Sequence, residues 1–167
     1  MELEVDRLRC LDCLVTSIKQ LKGKVDVTQL EQIAELIIQT MSGPWRHFHT
    51  PEHIFEVGES GDAVEVLAAL FHDLVYVQVD RDFNLNISSY IVPSVQEVHG
   101  KLLIRERSEL RQDRMFEIVA AIFGLVPAEV LSPTAGQNEF LSTLVAAKTL
   151  EPFLQPEIIA QIAACIE

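Results

Sequence analysis

The chain is short of several things, and each shortage excludes a class of protein. No apolar run approaches the roughly 18–20 residues needed to cross a bilayer, so a membrane span is not expected. The opening MELEVDRLRC has neither a basic start nor an apolar stretch behind it, so no secretory leader is read and a cytoplasmic protein is expected. Three cysteines are too few for a disulfide scaffold. Cys10 and Cys13 form a lone C-x-x-C among Leu8, Leu11, Leu14, Val15 and Ile18, whose helical spacing reads as packing rather than a zinc or redox site. Cys165, in an Ile/Ala-rich segment, reads as core. Basic residues are also scarce: 13 Lys+Arg stand against 25 Asp+Glu, a net charge of −12. Such a surface repels nucleic-acid duplexes and anionic membranes. A small phosphorylated substrate would need a locally positive site, which a metal ion and one or two arginines can supply.

What is abundant is aliphatic. Hydrophobic residues make up 49% of the 167, and the mean hydropathy is +0.21. That length suits a single domain over 1–167, open to being a piece of a longer chain. Apolar residues recur at helical spacing, so the expected fold class is all-α, a helical bundle. Helices are expected from Glu4 to Leu21, closed by Gly23, and from Thr28, with Thr28 and Glu31 as a capping box, to Gly43-Pro44. Thr50-Pro51 should start another, and Asp62 with Glu65 the next, running toward Val75. Residues 77–85 read as a loop. Helical spacing then resumes near Ile87 and continues, kinked at Pro93, to His99-Gly100, with His99 as a C-terminal cap. Arg105 to Gly124 reads as one helix with a solvated first half carrying Arg105, Arg107, Arg111 and Arg114. Two helices, Asn138–Leu150 and Pro156–Glu167, close the chain.

Four of the five histidines lie between His47 and His72. His49 precedes a helix, His53 sits in its first turn, and His72-Asp73 follow LAALF at the end of the next. Two consecutive helices packed antiparallel would bring these imidazoles and the carboxylate together. Such ligands suit zinc, iron, manganese or nickel, and magnesium less well. His47 reads as a loop residue without a role.

The fragments RHFHTPEHI and FHDLVY resemble the HD superfamily of metal-dependent phosphohydrolases, in particular a bacterial group with a RHYHxxxHI…FHDxVY signature. The cyclic-nucleotide phosphodiesterases share a similar histidine arrangement before their His-Asp. The resemblance runs from Arg46 to Tyr76. It implies an HD-like bundle with a divalent metal on His53, His72 and Asp73. His49 would be a proton donor to the leaving oxygen, and Arg46 a phosphate contact. The implied activity is hydrolysis of a phosphomonoester or phosphodiester with a nucleotide-like substrate.

The pattern also has gaps. The superfamily's last ligand is an aspartate on a later helix, yet no aspartate follows Asp113. The corresponding stretch reads Phe140-Leu141-Ser142-Thr143-Leu144, and neither Ser142 nor Leu144 can replace a carboxylate. Asn84 and Leu85 stand where the related group has Asn-Glu. Asp82, Glu117 or Glu139 could substitute. Two readings therefore stay open: a one-metal hydrolase, or a degenerate domain used for sensing or protein interaction. The closing apolar face of Ile158, Ile159, Ile162, Ala163 and Ile166 suggests a helix that continues or docks, hence a homodimer.

Overall fold

Asp62 and Glu65 do form the capping box expected of them: the Asp62 carboxylate accepts from the Glu65 N–H at 3.0 Å, and the Glu65 carboxylate from the Asp62 N–H at 2.8 Å. The helix they start is the hub of the fold. In a computed structural model, which describes residues 1–77 and 85–167, the elements run α1 (Glu2–Gln20), α2 (Val27–Met41), α3 (Pro51–Gly58), α4 (Ala63–Phe71), α5 (Leu85–Ile91), β1 (Val95–Val98), β2 (Lys101–Ile104), α6 (Arg114–Phe123), α7 (Gln137–Leu150) and α8 (Pro156–Ile166). Helix α4 packs against α1, α3, α7 and α8. It can do so because AVEVLAALF is apolar nearly all round, with Ala63, Leu67, Ala68, Ala69, Leu70 and Phe71 buried. Its alanines let neighbours approach on several sides.

Helix α7 is enclosed in the same way, with Phe140 through Ala147 buried. Its hydroxyls are therefore returned to backbone oxygens. Thr143 donates to the Glu139 carbonyl at 2.7 Å and Thr149 to the Val145 carbonyl at 2.9 Å. The mainly helical class stands, but the chain is not all-α. Residues 95–100, read as the tail of a helix, form with 101–104 an antiparallel hairpin, with Val95 opposite Ile104 and Val98 opposite Lys101. His99 is no helix cap. It and Gly100 have φ of 51° and 74°, the positive pair that a tight two-residue hairpin turn requires.

Other boundaries shift for local reasons. Helix α2 is capped by Asp26, whose carboxylate takes the Gln29 N–H at 3.1 Å, and not by Thr28. Arg105 to Gln112 lies outside any helix. Asp113 starts α6 by accepting from the Phe116 N–H at 3.1 Å, and also pairs with Lys148 of α7 at 2.7 Å. Gly124 ends α6 in the left-handed conformation, as expected. Cys10 is buried as expected, but Cys165 is exposed rather than core. The apolar face of α8 is covered by the chain itself: Ile159, Ile162, Ala163 and Ile166 are buried where α8 packs on α4, α6 and α7. The homodimer expectation thereby loses its basis. Among the described residues, no helix is long and apolar enough to cross a membrane.

Gly23 closes α1 for a reason other than backbone freedom. The left-handed position is Lys22, at φ 56°, and Gly23 follows it, donating to the Ile18 carbonyl at 2.8 Å. A β-carbon at Gly23 would lie 2.6 Å from the Phe153 carbonyl oxygen and 2.8 Å from Ile18 Cγ2. Gly23→Ala should therefore destabilise the protein by about 1–3 kcal/mol through overpacking. Lys22→Gly should not lower stability, since it relieves the left-handed strain. Urea denaturation of both variants checks this; a harmless Gly23→Ala would show that α1 and the Phe153 turn can separate freely.

Candidate metal centre

Thr50, in an extended conformation, and Pro51 in the first turn start α3, although the Thr50 side chain makes no capping bond. This start places His49 just ahead of the helix and His53 inside its first turn. Two residues then carry the chain past the end of α4: His72 still has helical dihedrals, with its N–H on the Ala68 carbonyl at 2.9 Å, and Asp73 follows. The helices lie antiparallel and close. A β-carbon on Gly58, at the end of α3, would sit 3.2 Å from Ala69 Cβ. The start of α3 faces the end of α4, since the His53 and His72 rings lie 5.4 Å apart.

The centre of the resulting cluster is one oxygen. Asp73 Oδ2 lies 2.7 Å from His49 Nδ1, 2.9 Å from His72 Nε2 and 3.3 Å from His53 Nε2. The imidazoles also touch one another, with ring centroids 5.6 Å apart for His49 and His53 and 5.4 Å for His53 and His72. His49, His53 and Asp73 can each offer a ligand atom with all three within 4.8 Å, so this cluster could hold a metal ion. His72 joins it through Asp73. His49, expected as a proton donor beside the ligands, is thus within reach of the same point as His53 and Asp73.

Whether a cation fits can be asked of His72. Its Nδ1 is 2.7 Å from the Ala69 carbonyl oxygen, which can only accept, so Nδ1 carries the hydrogen. In a neutral ring Nε2 then holds a lone pair, directed at a carboxylate oxygen 2.9 Å away. Two lone pairs do not attract; a proton or a metal ion must stand between them. A carbonyl bond that fixes the tautomer is also the usual support for a metal-bound imidazole. Three imidazoles and a carboxylate form a donor set suited to a divalent transition metal.

Without a metal, protons do this work. Burial opposes charge on His72, but its hydrogen bonds to Asp73 and the Ala69 carbonyl, with the Asp73 charge, raise its pKa above the ordinary histidine value. Burial likewise opposes charge on Asp73, and the hydrogen bonds and charges of His72 and His49 outweigh it, holding the carboxyl far below the usual range.

The segment after α4 is pinned by three side chains. Arg46 is buried, and its guanidinium donates to the Asp73 carbonyl at 2.7 Å and the Leu74 carbonyl at 2.9 Å. Arg46, expected as a phosphate contact, is placed on the main chain of the site. From α7, Ser142 Oγ accepts the Val75 N–H at 2.9 Å and Asn138 Oδ1 the Val77 N–H at 3.1 Å. Ser142 thus holds backbone where the related pattern would carry its last acid. Of the substitute acids, Asp82 falls outside the described residues, as does Asn84. Glu117 is exposed on α6, and Glu139 lines a cleft with His49, Asp73 and Tyr76. His47 is exposed in the loop.

Sequence reasoning gave no role to Tyr76, whose ring meets His49 edge-on at 4.7 Å, or to Gln137 and Asn138. The tyrosine stood inside the FHDLVY fragment. Nothing in the sequence linked the two amides to it. Compared with protein-family models, curated proteins and solved structures, the chain matches none.

Removing Arg46 leaves two carbonyls without their donor. Arg46→Met should lower stability by about 1.5–3 kcal/mol, measured by denaturant unfolding; an unchanged midpoint would mean that the guanidinium does not hold the turn. The paired shifts predict a pH dependence for metal-free protein. The Asp73 contribution is present above about pH 4 and is lost only under strong acid. The His72 contribution is full below its unfolded value of about 6.5 and is lost as pH rises through the raised folded value. Metal-free protein should therefore be less stable at pH 9 than at pH 6, and His72→Gln should flatten that slope. Parallel slopes in the two proteins would remove the proton shared by His72 and Asp73.

Proposed function

We propose that the chain is a metal-dependent phosphohydrolase of the HD kind, acting on a small phosphomonoester or phosphodiester. The observation that carries this is Asp73 Oδ2, ringed by three imidazoles, one of them turned by the Ala69 carbonyl so that its lone pair meets the carboxylate. His53, His72 and Asp73 would hold the ion. A divalent ion there would supply hydroxide near neutral pH and draw electron density from the phosphoryl group. His49 serves the leaving group. Its Nδ1 is fixed on Asp73, which leaves Nε2 to carry a proton to the departing oxygen. Tyr76 packs edge-on against that ring and limits its rotation.

A second reading has an observation of its own. Ser142 is fully buried and bonded to Val75, so α7 brings no carboxylate to the position where the related pattern has one. A domain built this way could keep the metal, or only the fold, and serve in sensing or protein interaction.

Two measurements on purified variants separate these. His72→Ala should lose both metal and phosphatase activity. His49→Ala should keep the metal and lose about 10²–10⁴-fold in turnover. Equal metal loss in both variants would make His49 a ligand. A metal-loaded wild type that hydrolyses no phosphate ester would favour the sensing domain.

A further inference from the structure

The cleft of about 360 Å³ that opens on His49 and Asp73 has a second wall, away from the imidazoles. It is the loop from Pro133 and the first turn of α7. Gly136 is the N-cap of this helix, at φ 86°, and has no side chain to cap it. The first N–H groups of a helix have no partners within the helix, and here they border the cleft.

Gln137, the first residue of α7, supplies an independent sign. It is only 4% exposed and lines the cleft, yet its carboxamide has no hydrogen-bond partner among the described residues. The one polar side-chain atom sealed away without a partner among these residues is Thr40 Oγ1, so the Gln137 amide keeps contact with solvent, and Gln137 is a residue of the cleft wall. An amide with no protein partner is left to bond water. A ligand with acceptor oxygens would take the place of that water.

We infer that Gln137 and the N-terminus of α7 form a phosphoryl-binding subsite, which grips the oxygens of a phosphate ester that do not react. This rests on the hydrolase reading and adds to it the residues that hold the substrate. The donors would be the Gln137 carboxamide and the backbone N–H groups of the first turn, with the positive end of the helix dipole behind them. Two carboxylates face the same cleft, Asp73 and Glu139. Asp73 is compensated by its imidazoles, whereas Glu139 is exposed and repels an anion. Phosphate binding should therefore depend on a cation in the centre, and by linkage each ligand should strengthen the other.

Phenylphosphonate, a phosphate-ester mimic that is not hydrolysed, tests this by backbone amide NMR of the full chain with one equivalent of zinc. The amides of Gly136, Gln137 and Glu139 should shift saturably, with at least tenfold weaker affinity when zinc is absent. Gln137→Met keeps the size of the side chain and removes its donor, so affinity should fall about 10–100-fold. Gln137→Glu suits the first turn of a helix but sets a like charge against the ligand, and should abolish binding. Both variants should take up zinc as the wild type does. Shifts confined to the neighbours of the histidines, or wild-type affinity in Gln137→Met, would overturn the subsite. A wild type that binds no zinc would instead sink the metal centre, with the α7 amide shifts still deciding the subsite on their own.

Discussion

When α4 ends at Phe71, the chain does not emerge into solvent. Leu74 and Val75 are buried, so the peptide groups of the segment need partners that neither helix nor sheet provides. Arg46 takes two of its carbonyls, Ser142 and Asn138 two of its N–H groups, from elements far away in the sequence. This satisfaction of an irregular buried backbone sets the angle at which Asp73 leaves the helix. The cluster of imidazoles depends on that angle, because all three meet the same oxygen of Asp73.

The two helices that carry this arrangement are the two enclosed nearly all round. Helix α4 delivers His72 and Asp73 from its end, and α7 delivers Ser142 and Asn138 from its side. Both are packed on several faces, so the cluster rests on rigid elements rather than loops. Rigidity of that kind is what a metal or catalytic constellation requires, since small displacements of its groups have large effects. The loop residue His49 is the exception, and it is held by Asp73 and Tyr76 instead.

The electrostatics are local. A chain with net charge −12 gathers three histidines around one carboxylate in a partly buried place. In metal-free protein His72 holds its proton more tightly than a free histidine and Asp73 gives its own up more readily, and a divalent ion would compete for the place of that shared proton. The acidic surface does not prevent a phosphorylated ligand from binding, provided that its charge is met within the cleft.

Much of this was legible in the residues. The capping box at Asp62, the Thr50-Pro51 start and the glycine at 124 are local signals, set by hydrogen bonds or backbone conformation within four residues, and they appeared where expected. The proximity of His49, His53, His72 and Asp73 followed from two short antiparallel helices and a tight link. The hairpin at residues 95–104 was missed because four-residue strands offer too little alternation to outweigh a helical reading of the same apolar residues. Three features had no signal in the sequence: Arg46 turned inward onto carbonyls, Ser142 used for backbone rather than metal, and the covered face of α8. Each depends on which surfaces meet when α4, α7 and α8 pack together. The order of residues determines local caps and faces; only the packed interior decides which polar group is left needing which partner.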